Sequence, residues 1–135
     1  MYSIDDLKEQ NKEISQLCDV LSVLMEQASL HGNPYVDELL KRFKEKVWVH
    51  LVFEDNTIYA AMLSSSNEEE SNIAKTFHES AKEIKHRFSG FVRHRGTTPK
   101  TAEEHNLLSE DCRDIFELIR NRIDYENKKI FPLVE

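Results

Sequence analysis

The feature that most constrains this chain is a set of four apolar stripes, each stepping by three and four residues. The first reads Leu7, Asn11, Ile14, Cys18, Leu21, Met25. The second reads Leu40, Phe43, Val47, His50, Glu54, with Leu51 and Ile58 alongside. The third reads Phe77, Ala81, Ile84, Phe88, Phe91, and the fourth Leu108, Cys112, Ile115, Ile119, Arg122, Glu126, then Ile130. Steps of this kind return a side chain to one face of an α-helix every turn, whereas a strand alternates every second residue. Three breaks separate the stripes: His31-Gly32-Asn33-Pro34, Ser64-Ser65-Ser66-Asn67 and Gly96-Thr97-Thr98-Pro99. The first and third read as a helix cap followed by a proline in the first turn. The three glutamates after Asn67 suit the positive end of a helix dipole. Ser3 with Asp6 resembles a capping box. The sequence therefore predicts an all-α protein with helices over 3–30, 34–63, 67–94 and 99–131. Short connections make it an up-down-up-down four-helix bundle, one domain spanning 1–135.

Composition agrees with this. A chain of 135 residues with 3 Gly and 3 Pro lacks the turn residues of a β-sandwich. A net charge of −7 disfavours nucleic acid and anionic membrane as partners. No apolar run reaches membrane-spanning length, and the opening MYSIDDLKEQ is too polar for a signal peptide. Two cysteines without a CxxC spacing fit free thiols in a reducing cytoplasm.

Two stripes turn polar toward their C-terminal ends. His50 and Glu54 are in phase with Leu40, Phe43 and Val47; Arg122 and Glu126 are in phase with Ile115 and Ile119. Helices two and four run parallel in such a bundle, so the pairs meet at one level. Buried ionisable groups need partners or a metal. The flanks repeat as well: His50-Leu51-Val52-Phe53-Glu54 is followed by Ile58-Tyr59, and Arg122-Ile123-Asp124-Tyr125-Glu126 by Ile130-Phe131.

On these residues the chain resembles the hemerythrin-like (HHE cation-binding) family, four-helix bundles with a repeated His-x-x-x-Glu pattern and a Leu-Phe-Pro-like ending. His50-x-x-x-Glu54 matches the first copy; Glu126 and Ile130-Phe131-Pro132-Leu133 match the end of the second. The resemblance implies non-heme iron, often as a di-iron centre, and a role with oxygen, nitric oxide or iron stress. The departures from the pattern are specific. Arg122 stands where the family has a second-copy His ligand, and Cys18 is in phase on the first helix where the family has a His. The third stripe offers no inward His, since His78 and His86 lie off it. His50, Glu54 and Glu126, with Cys18 as a lesser candidate, are the remaining metal ligands. A guanidinium carries a permanent charge and no lone pair. The expectation is that Arg122 replaces the lost cation by forking onto Glu54 and Glu126, with His50 hydrogen-bonded nearby.

The expected function is a non-enzymatic regulatory or protein-binding module with a degenerate, metal-free centre and no cofactor, acting on an unidentified protein partner. A weaker resemblance to the regulator-of-sigma-D anti-sigma family, through the late Arg-x-x-x-Glu segment, points the same way. The alternative is a non-heme iron or other metal protein. A hydrolase built on His50 and Glu54 would require His50 at the base of an open pocket. Homodimerisation is left open. Cys18 and Cys112 read as buried small hydrophobes. His31, His94 and His105 read as solvated loop residues, and Arg87, Arg93, His94 and Arg95 as a basic helix end.

Overall fold

Three helices start where a short polar side chain takes the first unpaired backbone N–H groups. Asn33 Oδ1 accepts from Tyr35 N at 2.9 Å, with Pro34 in the first turn. Asn67 Oδ1 accepts from Glu69 N and Glu70 N at 3.0 and 3.2 Å. Thr101 Oγ1 accepts from Glu104 N at 3.1 Å. The computed structural model describes residues 4–30, 33–94 and 101–134. Helix α1 is Ile4–Met25, followed by a 3-10 turn, Ala28–Leu30. Helix α2 runs Pro34–Glu54, passes through a π-helical turn, Asp55–Tyr59, and ends with Ala60–Leu63. Helix α3 is Glu68–His94. Helix α4 is Ala102–Tyr125, then a second π-helical turn, Glu126–Ile130, and Phe131–Val134.

The all-α bundle is as the stripes predict. Helix α1 packs on α2 and α4, and α3 packs on α4 and α2. The predicted stripe of α1 is also its complete set of buried residues, Leu7, Asn11, Ile14, Cys18, Leu21 and Met25. Two expected helix ends move. The first helix stops at Met25 rather than residue 30, because the chain tightens into the 3-10 turn. The fourth begins at Ala102, capped by Thr101, rather than at residue 99, and the expected Thr98 cap lies outside the described residues. Ser3, His31, Gly32 and the segment 95–100 lie outside the described residues, as do the side chains of Phe88, Phe91, Arg93, His94, His105 and Leu108.

The core has two apolar clusters. One gathers Ile14, Cys18, Leu21, Phe43, Val47, Ile84, Ile115, Phe116 and Ile119 along most of the bundle. The other gathers Leu7, Ile58, Tyr59, Met62, Ala74, Phe77, Ile130 and Phe131 at one end. Along α1, α2 and α4 the polar residues Asn11, His50, Glu54, Arg122 and Glu126 fall between them. All five are at most 5% exposed. A polar layer is thus sealed between two apolar ones, so electrostatic attraction and desolvation both exceed their surface values.

Cys18 belongs to the larger apolar cluster and is fully buried. Burial pushes its thiol from 9.0 up to about 12, with Arg120 pulling weakly the other way. An unfolded chain would lose that proton near 9, while the folded one keeps it. Stability should therefore fall as pH rises from about 9 to 12, with no contribution below that window. Urea midpoints between pH 8 and 11 should show this slope, and Cys18→Ala should flatten it. An equal slope in the variant would assign the loss to other groups.

Candidate metal centre

His50 and Glu54 are one turn apart on α2, and Arg122 and Glu126 one turn apart on α4. The parallel course of α2 and α4 brings the two pairs together, as the sequence predicts. His50 Nε2 lies 3.0 Å from Glu54 Oε1 and 3.8 Å from Glu126 Oε1. One ligand atom from each of His50, Glu54 and Glu126 falls within 4.8 Å of the others.

The expected fork of Arg122 onto the glutamates does not form. Its nearest approaches are 3.7 Å from Nη2 to Glu54 Oε1 and 3.9 Å from Nε to Glu126 Oε2, both beyond hydrogen-bonding range. The guanidinium instead donates to the Phe77 carbonyl at 3.0 Å and to the Tyr59 hydroxyl at 3.2 Å. It also stands over the rings of Tyr59 and Phe77, 5.4 and 5.3 Å from their centroids. The reason is Tyr59, which takes the place beside the carboxylates that the guanidinium was expected to fill. Its hydroxyl is 2.7 Å from Glu126 Oε2 and 3.3 Å from Glu54 Oε2.

Tyr59 is brought there by the backbone. In a regular helix it would sit about 140° around from Glu54, off the buried face. The π-helical turn closes one residue later, so the fifth residue after Glu54 points back at the site. The turn after Glu126 does the same for Phe131. This is why Ile58 with Tyr59, and Ile130 with Phe131, are buried as neighbouring pairs. Thr57 Oγ1 donates to the Phe53 carbonyl at 2.5 Å beside the first of these turns.

Helix α1 supplies two further side chains that the sequence reading did not place at the site. Gln10 Oε1 lies 2.6 Å from His50 Nδ1. An amide oxygen only accepts, so Nδ1 donates and Nε2 is the nitrogen turned toward the glutamates. Asn11 Nδ2 donates to Glu126 Oε1 at 3.4 Å. Asn11 is in phase with the apolar stripe, which was the visible signal. Cys18 is not in this group: it is two turns farther along α1, about 10 Å. His78 is half-buried and His86 exposed, as expected of residues off the third stripe.

Each carboxylate thus faces two ways. The Oε2 atoms face the Tyr59 hydroxyl and the Oε1 atoms face His50, with Arg122 nearest Oε2 of Glu126 but Oε1 of Glu54. Tyr59 has one hydroxyl proton, and the shorter contact assigns it to Glu126. Glu54 is then fully buried with Oε1 lacking a partner and Oε2 holding only the longer share of the Tyr59 hydroxyl. His50 Nε2 is also without an aligned partner, although it lies 3.0 Å from that same oxygen. With a neutral His50, two ionised carboxylates against one guanidinium leave a net negative charge in a buried layer. The atoms that converge there are lone-pair donors, the chemistry of a cation site. The set does not fit two ions. Among the described residues it holds one imidazole, and Arg122 already supplies positive charge beside both carboxylates.

A groove of about 280 Å³ opens between α1 and α2, lined by Gln10, Glu13, Ile14, Glu45, Lys46 and Val49. Gln10 lines this groove and also meets His50 Nδ1.

A family model, the hemerythrin HHE cation binding domain, matches residues 2–134. The chain matches no curated protein and no solved structure.

Proposed function

The chain belongs to the hemerythrin HHE cation-binding family, and from that premise we propose a reduced centre that combines one resident organic cation with one metal ion. Arg122 supplies the permanent positive charge on the Tyr59 side. His50 Nε2, Glu54 and Glu126 hold a single divalent first-row ion on the other side. The observation that carries this reading is Glu54, a wholly buried carboxylate whose Oε1 has no hydrogen-bond partner, beside an unpartnered imidazole nitrogen. Such an ion supplies Lewis acidity and, if it is iron, a one-electron couple toward small ligands such as oxygen or nitric oxide. The protein's own residues do the rest. Gln10 fixes the His50 tautomer, so that Nε2 keeps its lone pair for the site. Tyr59 holds Glu126 in place, and the two apolar layers exclude water.

The proposed role is binding or sensing rather than catalysis. His50 is 3% exposed, not at the base of an open pocket. Among the described residues, no helix is long and apolar enough to cross a membrane. A second reading, a metal-free regulatory module that binds another protein, is favoured by one observation: the Arg122 charge already offsets half of the glutamate charge. Anaerobic calorimetric titration with Fe²⁺ separates the two. The one-ion reading expects saturable binding that His50→Ala removes. Absence of binding by the native chain would discard it in favour of the regulatory module.

A further inference from the structure

Asn11 sits between Leu7 and Ile14 on the buried stripe of α1 and is 1% exposed. A buried amide is costly unless both of its ends are satisfied. Its Nδ2 makes one long hydrogen bond, 3.4 Å to Glu126 Oε1, and its Oδ1 has no partner. Among the described residues, the other buried side-chain atoms in that condition are His50 Nε2, Glu54 Oε1 and Arg122 Nε. Arg122 Nε is a donor on the Tyr59 side. The remaining three, Asn11 Oδ1, His50 Nε2 and Glu54 Oε1, all offer lone pairs. They belong to side chains gathered around Glu126 Oε1, which lies 3.8 Å from His50 Nε2 and accepts the Asn11 bond. A single hydrogen-bond donor would satisfy one of these atoms, whereas a cation can satisfy all three.

We propose that Asn11 is a further metal ligand, its Oδ1 acting as a neutral fourth protein donor beside His50 Nε2, Glu54 and Glu126. This rests on the one-ion reading above. The donor set becomes one imidazole nitrogen and three oxygens, with no thiolate. That composition suits Mn²⁺ or Fe²⁺ and disfavours the soft Cu⁺ ion. Asn11 then has two tasks, since its Nδ2 still braces Glu126 while its oxygen faces the ion. A neutral donor at this position adds no charge to a layer that already holds an excess negative one.

Titration of the full chain with Co²⁺, followed by its visible absorption, tests the assignment, because band position and intensity report the donors around the ion. Asn11→Leu should weaken Co²⁺ binding by about ten- to a hundredfold and shift the bands. Asn11→Asp should restore an oxygen donor and bind at least as tightly as the native chain. Leucine suits the apolar stripe, and thermal unfolding of the metal-free variant checks that the bundle is retained. The Cγ carbon resonance of Asn11 should also move on addition of Zn²⁺. Native-like bands and affinity in Asn11→Leu, with normal Co²⁺ binding by the native chain, would overturn the Asn11 assignment alone. No Co²⁺ binding by the native chain would overturn it together with the one-ion reading.

Discussion

Replacing Arg122 with methionine is expected to destabilise the metal-free chain by roughly 3–5 kcal/mol, because it removes the fixed cation beside two buried carboxylates. For a bundle of this size that is a fall in Tm of about 10–20 °C. Methionine keeps much of the length and packing of arginine without its charge, so the loss reports electrostatics more than a cavity. It also leaves the Phe77 carbonyl and the Tyr59 hydroxyl without their donor. The sharper part of the prediction is a rescue. A divalent ion at His50, Glu54 and Glu126 brings the charge that the variant lacks, so saturating Mn²⁺ should recover most of the stability. Thermal unfolding with and without Mn²⁺ checks both parts. A loss below about 1 kcal/mol, the scale of a surface ion pair, would mean that Arg122 is not what balances the glutamates.

The second large effect has the opposite sign. Glu54→Gln should stabilise the metal-free chain by about 1–3 kcal/mol while removing metal binding. The native carboxylate's Oε1 lies 3.0 Å from His50 Nε2 without a hydrogen-bond partner, and its Oε2 only shares the Tyr59 hydroxyl with Glu126. A glutamine there turns its amide N–H toward that nitrogen, which satisfies both groups and leaves Arg122 to balance Glu126. Metal-dependent stabilisation, about 4 kcal/mol when the ion is at a thousand times its Kd, should vanish at the same time. Urea unfolding of both proteins with and without Mn²⁺ makes the comparison. Destabilisation of the metal-free variant would show that the ionised Glu54 is already well accommodated without an ion.

Much of this was legible in the sequence, for definite reasons. Steps of three and four residues dictate helices, and among the described residues the four stripes supply the buried face of each one. Because helix pitch also sets phase, His50, Glu54, Arg122 and Glu126 could be placed in the core and at one level before any coordinates. The role of Tyr59 was hidden, because a regular helix carries it off the buried face and the π-helical turn brings it back. The trace of that turn was an adjacent buried pair, Ile58-Tyr59, repeated as Ile130-Phe131, which a single helical stripe does not accommodate. With Tyr59 unplaced, Arg122 was expected to fork onto the glutamates. Cys18 stood as the candidate on the first helix, and Asn11 had no role assigned, because phase gives a face but not a height. The height on α1 comes from its packing against α2 and α4, which sets Gln10 opposite His50 and Asn11 opposite Glu126.

The central claim is that Arg122 takes over part of the charge balance once met by metal and leaves room for one ion. Metal content measures this most directly. The purified chain is saturated anaerobically with Fe²⁺, freed of unbound ion and analysed for iron, beside an Arg122→His variant in which the permanent charge is gone and an imidazole restored. One ion per native chain, and a higher content in the variant, is the predicted result. Two ions per native chain, or equal content in both proteins, would contradict it.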